Sequence, residues 1–333
     1  MHQCPGYTRK VLYTCLALAG LVCLLYAYEA PMMNGETAWA ASTPDASSVS
    51  PPFLTVNGTV PSTKFVGDLK TSLTSKPSTP AVTSTPVEVS PAGPHMTQQS
   101  CNAKVGRFET MSMRATYLPL PMDVLVYLPP CYDKQVTARF PVLYLIHGQG
   151  FREDQWDRLG ADETAEMLFR TQQVPQFIIV MPHDSFLRDP RESPFGRAFI
   201  EILIPWVDKT YRTLDDREHR AIGGLSRGGA WAFYLGLSHH DMFSAIGMHS
   251  SFFFNGLEFP TRTMIQSIPP EEMPRLFIDI GGEDHLLQAN RQLEKLLMKE
   301  NVAYEWYLFP GRHEESYWSS HMEQYLLWYT RDW

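Results

Sequence analysis

Gly223-Gly224-Leu225-Ser226-Arg227-Gly228-Gly229 is the stretch on which the reading of this chain turns. Gly224, Ser226 and Gly228 form a Gly-x-Ser-x-Gly pattern. The apolar pair Ala221-Ile222 leads into it, and Ala230-Trp231-Ala232-Phe233-Tyr234-Leu235-Gly236-Leu237 reads as a helix behind it. Strand, sharp turn and helix is the setting in which a serine backbone is held strained. Its hydroxyl then stands above a sheet edge, beside the first amides of the helix. Small neighbours are required where the two chain segments crowd together. An ordinary glycine-rich turn that happens to hold a serine needs neither the strand before it nor the helix after it.

A serine hydroxyl is a weak nucleophile and needs a base within hydrogen-bond reach, usually a histidine oriented by a buried carboxylate. When the serine sits on a turn of this kind, the acid and then the histidine follow later in the chain. Each lies on a loop at the C-terminal end of a strand. Gly281-Gly282-Glu283-Asp284-His285 follows the apolar run Leu276-Phe277-Ile278-Asp279-Ile280, and Pro310-Gly311-Arg312-His313 follows Tyr304-Glu305-Trp306-Tyr307-Leu308-Phe309. Ser226, Asp284 and His313 are therefore the predicted catalytic set. Asp279 lies inside its strand, and five residues of extended chain span about 16 Å. The two carboxylates then serve different partners, and Asp279 is expected to be a buried structural acid. An oxyanion site needs two backbone amides aimed at the developing charge. Arg227 is expected to supply one. His147-Gly148-Gln149-Gly150 is expected to supply the other, with Gln149 as the donor ahead of Gly148.

Outward from this centre, apolar runs alternate with helical patterns. Strands are predicted over residues 122–128, 141–146, 177–181, 219–224, 243–248, 275–280 and 304–309. Helices are predicted over 161–170, 196–211 with a kink at Pro205, 286–299 and 315–329. Such alternation predicts a mostly parallel sheet with helices on both faces. The stretch from Phe252 to Pro274, with Phe252-Phe253-Phe254 and Pro269-Pro270, is expected to form a lid or pocket wall between strands.

The chain has 333 residues, a net charge of −8 and 44% apolar residues. That suits one large α/β domain with added segments, and the absence of a basic stripe argues against a nucleic-acid partner. Residues 1–40 hold Arg9 and Lys10 ahead of an apolar run over 11–28, the pattern of a secretory signal or an uncleaved membrane anchor. Ala38-Trp39-Ala40 has the small-x-small form of a cleavage site, so both outcomes stay open. In either case the remainder is expected to be exported, and an uncleaved segment would hold it at a membrane or cell wall. Over residues 41–98 about half the side chains are Ser, Thr or Pro. The stretch is expected to be a disordered linker with a sequon at Asn57-Gly58-Thr59. The catalytic domain is expected over 99–333. Of Cys4, Cys15, Cys23, Cys101 and Cys131, only the last two fall within it, and an oxidising compartment favours their pairing. None of the five has the spacing of a zinc site.

Several other residues invite a role. Trp156 and Trp318 are candidates to stack on a substrate ring or sugar, and His183 to line the pocket with Asp184. His147 and His249, at strand ends, are expected to be structural. His285 beside Asp284 suggests a metal, but no third ligand is spaced for one. Neither a metal nor a cofactor is expected. Glu201, in an apolar helical stretch, is expected to be a buried hydrogen-bonding carboxylate.

The chain resembles the esterase D and feruloyl esterase-like branch of the α/β hydrolases. Enterochelin esterases belong to the same branch, and secreted mycolyltransferases are more distant. The matching stretches are Tyr144-Leu145-Ile146-His147-Gly148, Leu203-Ile204-Pro205-Trp206-Val207-Asp208, Gly224 to Gly229, His240-Asp241-Met242-Phe243, and Gly311-Arg312-His313 followed by Tyr317-Trp318. Two positions depart from the pattern. Cys131 stands where glycine is usual, and Arg312 where the loop often reads Gly-Gly. The resemblance implies an α/β-hydrolase fold and hydrolysis of carboxylic esters through an acyl-enzyme. Acyl transfer to a sugar or lipid hydroxyl is the alternative within the same chemistry. A non-catalytic surface binding protein on the same scaffold is the alternative of another class.

Overall fold

The computed structural model describes residues 102–333, apart from 187, 190, 191 and 253–257. The leader over 1–40, the linker over 41–98 and Cys101 lie outside the described residues, as do Phe253 and Phe254 near the start of the expected lid. Among the described residues no helix is long and apolar enough to cross a membrane. Cys131 is disulfide-bonded.

Eight strands form one sheet: β1 Arg107–Met113, β2 Met122–Leu128, β3 Val142–Ile146, β4 Ile178–Pro182, β5 Arg220–Leu225, β6 Ala245–His249, β7 Arg275–Gly281 and β8 Glu305–Phe309. Their order across the sheet is β1-β2-β4-β3-β5-β6-β7-β8. β1 and β2 pair antiparallel, as do β2 and β4, and every pairing from β4 to β8 is parallel. The central strands β3 to β6 are buried at every position. This follows from their continuous apolar runs, since a parallel sheet is covered on both faces. Alternation divides their side chains between two cores. Val142, Tyr144 and Ile146 point into one, and Leu143 and Leu145 into the other.

The helices are α1 Gln155–Arg158, α2 Ala161–Arg170, α3 Pro194–Ala198, α4 Ile204–Thr210, α5 Arg227–Ser238, α6 Glu258–Ser267, α7 Leu287–Lys299, α8 Glu315–Ser320 and α9 Met322–Thr330. Phe195, Leu203, Val207, Trp231, Ile265 and Leu297, from α3 to α7 and the turn within that run, fill the first core. Leu168, Trp318, Leu326 and Tyr329, from α2, α8 and α9, fill the second.

Two predicted helices are broken. The one over 196–211 becomes α3, a π-turn over Phe199–Leu203, and α4. Pro205 has no N–H and a fixed φ, so it sits in the first turn of a restarted helix rather than kinking a continuous one. The last helix is interrupted at His321. Its ring nitrogen takes the Tyr317 carbonyl at 2.7 Å, the acceptor its own amide would use in an unbroken helix. The amide turns to Trp318 instead. Glu201 is not the buried acid expected. It is exposed, held by Arg197 one helical turn back at 2.8 Å, because that side of the π-turn faces solvent.

Candidate active site

The C-terminal ends of β5, β7 and β8 bring the three predicted residues together. Ser226 follows β5 and begins α5 at φ 54°, ψ −119°, a conformation that costs a non-glycine residue on the order of 1–3 kcal/mol. The strain is held by backbone bonds on both sides. Ser226 donates its N–H to the His249 carbonyl at 2.8 Å, and its own carbonyl accepts from Phe252 at 2.9 Å and Gly229 at 3.1 Å. A Cβ on Gly224 would meet the Gly228 carbonyl, and one on Gly228 the Ile146 carbonyl. The flanking glycines of the motif are thus set by backbone contact.

Ser226 Oγ lies 3.0 Å from His313 Nε2. His313 Nδ1 lies 2.9 Å from Asp284 Oδ2, and Asp284 Oδ1 accepts the Leu286 amide at 2.8 Å. Burial tends to raise the Asp284 carboxyl. The bonds from His313 and Leu286 outweigh it and hold the group below the ordinary carboxylate range. The two loops are stitched to each other. Gly282 donates to Phe309 at 2.8 Å and Glu283 to Gly311 at 2.9 Å. Gly311, at φ 138°, needs the conformational freedom of glycine to turn the chain toward His313. Trp318 closes the far side of the imidazole, with ring centroids 5.0 Å apart and planes at 88°.

On the oxyanion side, the amide of Gly148 is committed. It donates to Gln155 Oε1 at 2.8 Å, and Gln155 Nε2 donates onward to Glu315. The amide of Gln149 makes no hydrogen bond among the described residues. Of the two candidate donors, Gln149 is therefore the one left with its amide available. Gln155 is fully buried, yet no local pattern marks it, because its partners are seven and 160 residues away. His147 locks the same loop. Its Nδ1 reaches the Gly148 carbonyl at 2.7 Å, and its Nε2 takes the Asp184 amide at 2.9 Å. That pairing suits the neutral ring with its proton on Nδ1. Burial pushes the imidazole down to about 4.

Asp184 does more than line a pocket. Its Oδ2 takes the Arg227 guanidinium at 3.0 Å and the Trp231 indole at 2.7 Å. Burial raises the Asp184 carboxyl despite the Arg227 charge. The side chain of the residue after Ser226 is thereby anchored below the oxyanion loop. His183 lines an open pocket of about 580 Å³ with Leu120, Phe151, Arg152 and Ser185. The two tryptophans do not open onto it. Trp156 is 1% and Trp318 3% exposed, and Trp156 donates to the Ile146 carbonyl at 3.0 Å. Both rings are packing residues that hold the site's elements, which corrects their reading as substrate contacts.

Under the serine lies a second, fully buried network. Asp279 accepts from His249 Nδ1 at 2.7 Å, Tyr317 at 2.8 Å and Tyr325 at 2.7 Å, while His249 Nε2 meets Tyr329 Oη at 2.9 Å. Burial and the neighbouring Asp279 carboxylate raise the Tyr317 and Tyr325 hydroxyls well above their usual range. Asp279 and His249 are therefore structural, and His249 also presents the carbonyl that holds Ser226.

The expectation that no third metal ligand accompanies Asp284 and His285 is corrected by the fold. His313 joins them, with the three residues' donor atoms within 4.8 Å of one another. Asp123, Glu153 and His183 form another such group, crossed by Arg152, which lies 3.1 Å from Asp123 and 3.5 Å from Glu153.

A family model described as "Putative esterase" matches residues 115–329. An endo-1,4-beta-xylanase/feruloyl esterase of Xylanibacter ruminicola is 29% identical over 200 residues, which is 54% of this chain and 26% of that one. A Mycobacterium tuberculosis protein named as an esterase is 33% identical over 139 residues, covering 38% of this chain and 28% of its own. The chain thus spans about a quarter of the length of these two relatives. A ferulic acid esterase structure superposes with a TM-score of 0.62 at 24% identity, covering 70% of this chain and all of that one. That likeness shows the α/β-hydrolase fold.

Proposed function

Because this chain belongs to the "Putative esterase" family, we propose that it is a serine hydrolase of carboxylic esters working through an acyl-enzyme. The observation that carries the reading is the unbroken chain of contacts from Ser226 Oγ through His313 to Asp284. Ser226 Oγ attacks the ester carbonyl carbon while His313 Nε2 takes its proton. Asp284 keeps the other imidazole proton on Nδ1 and stabilises the imidazolium. The amides of Arg227 and Gln149 receive the oxyanion. The C–O bond to the alcohol breaks as His313 returns the proton to the leaving oxygen. Water, deprotonated by His313, then releases the acid and restores Ser226.

The names of the relatives point to esters of aromatic acids such as ferulic acid as substrates. The reading of residues 1–40 as an exporting leader, with 41–98 as a linker, places the enzyme outside the cytoplasm. The test is a burst of p-nitrophenol from p-nitrophenyl acetate, with fluorophosphonate labelling lost in Ser226→Ala. A panel of feruloyl and acetyl sugars then ranks acyl groups, and a rise in turnover with added alcohol marks acyl transfer. A protein that shows neither burst nor labelling refutes the assignment.

A further inference from the structure

The loop that carries Asp284 places a second imidazole against the first. His285 is 70% exposed at its side chain, whereas Asp284 is fully buried. The rings of His285 and His313 lie 4.7 Å apart at 70°. Each oxygen of the Asp284 carboxylate faces one of them, Oδ1 at 3.6 Å from His285 Nδ1 and Oδ2 at 2.9 Å from His313 Nδ1. In a tetrahedral zinc site with bonds of about 2.0–2.2 Å, neighbouring donors stand about 3.3 Å apart, between these two values. Two imidazoles and a carboxylate are also a donor set that Zn²⁺ prefers. Local spacing does not reveal this group, because the third member comes from the loop after the next strand.

We infer that Asp284, His285 and His313 form an inhibitory Zn²⁺ site that switches the enzyme off by fixing the wrong tautomer of His313. The inference rests on the triad proposed above. In the working state the neutral imidazole holds its proton on Nδ1, toward Asp284, and offers a lone pair at Nε2 to Ser226. A Zn²⁺ ion bound at Nδ1 takes the place of the proton there, which moves to Nε2. No proton is lost, but Nε2 then donates to Ser226 Oγ instead of accepting from it, and the base is gone. The metal need not block the substrate's path. The exposed His285 supplies the swinging ligand, and the side of the group facing solvent leaves a position for water. His285 has no part in the hydrolytic steps, so it can be removed without touching them.

The full-length protein is titrated with ZnCl₂ while p-nitrophenyl acetate hydrolysis and fluorophosphonate labelling of Ser226 are followed, with Zn²⁺ binding measured separately by calorimetry. Inhibition reversed by EDTA is expected, together with loss of labelling. His285→Ala should keep the wild-type kcat and raise the half-inhibiting Zn²⁺ concentration about tenfold or more, since even a partner behind a metal ligand is worth 10- to 100-fold. His183→Asn, which breaks the Asp123, Glu153 and His183 group, should leave zinc sensitivity as in the wild type. The inference is overturned if His285→Ala is as zinc-sensitive as the wild type, or if sensitivity disappears in His183→Asn instead. A wild type that hydrolyses the ester but neither binds nor responds to Zn²⁺ overturns it as well. If the protein hydrolyses no ester, the functional reading fails, and weaker binding of Zn²⁺ to His285→Ala and His313→Ala by calorimetry still decides the site.

Discussion

Acidification should unfasten the oxyanion loop through His147. The ring is buried, donates from Nδ1 to the Gly148 carbonyl and accepts the Asp184 amide at Nε2. A proton at Nε2 would face another N–H. Burial accordingly takes the imidazole from 6.5 down to about 4. The lowered value means that the unfolded chain binds this proton before the folded one does. Stability from this group is therefore complete above pH 6.5 and lost as pH falls toward 4. At about 1.4 kcal/mol per pH unit the loss reaches about 3 kcal/mol at pH 4, with roughly 1.4 kcal/mol of it gone by pH 5.5. Urea denaturation of the wild type and of His147→Asn at pH 7, 5.5 and 4 measures it. Asparagine keeps a donor and an acceptor but does not titrate. Groups common to both proteins, including the depressed Asp284 carboxyl, cancel in the comparison. The wild type should lose about 3 kcal/mol more than the variant between pH 7 and 4. Parallel stability curves for the two proteins would refute the account of His147 as a neutral buried strut.

Ser226→Ala should lower kcat by about 10⁶ with the melting temperature kept or raised, since alanine removes only the nucleophile; retention of a tenth of the wild-type rate counts against the assignment. Asp284→Asn should cost about 10⁴ in kcat by disturbing the tautomer of His313, with little change in stability. Asp279→Asn should do the reverse, because its new NH₂ faces donors from Tyr317, Tyr325 and His249. Loss of about 3 kcal/mol is expected there, or roughly 6–12 °C in a thermal melt, and the opposite pattern in melts and kinetics would exchange the roles of the two acids. Gly223→Ala should destabilise by about 1–3 kcal/mol, because its Cβ would meet the Tyr329 hydroxyl; Tyr329→Phe in the same chain should recover part of that loss, and additive effects in the double-mutant cycle would argue against the contact.

Local pattern was enough for much of this. A turn that needs glycine on both sides of a strained serine is legible at Gly224 and Gly228 because the constraint acts between residues close in the chain. The alternation of apolar runs with helical segments predicts the buried parallel sheet, since burial on both faces removes the polar alternate positions an exposed strand would keep. Asp284 could be preferred to Asp279 on position alone, as the acid beyond the strand end. The breaks in the helices at Pro205 and His321 were less legible. The second depends on one imidazole competing for a carbonyl within its own helix, a contest that composition does not record.

What the tertiary structure decided are the contacts between loops far apart in sequence. Gln155 takes the amide of Gly148 and leaves that of Gln149, and Asp184 anchors the side chain of Arg227. Burial turned Trp156 and Trp318 from apparent stacking surfaces into packing, and exposure turned Glu201 outward. The strand that leads into the serine and the three after it lie side by side in the order β5-β6-β7-β8, so each successive loop is delivered to the same end of the sheet. That delivery puts His285 against His313, and His249 above Asp279 with the tyrosines of the last two helices around them. Sequence determines which residue types stand at the strand ends, because strand and turn propensities are local. Which of them touch depends on the register and crossover of a sheet closed over some two hundred residues, information that no short stretch contains.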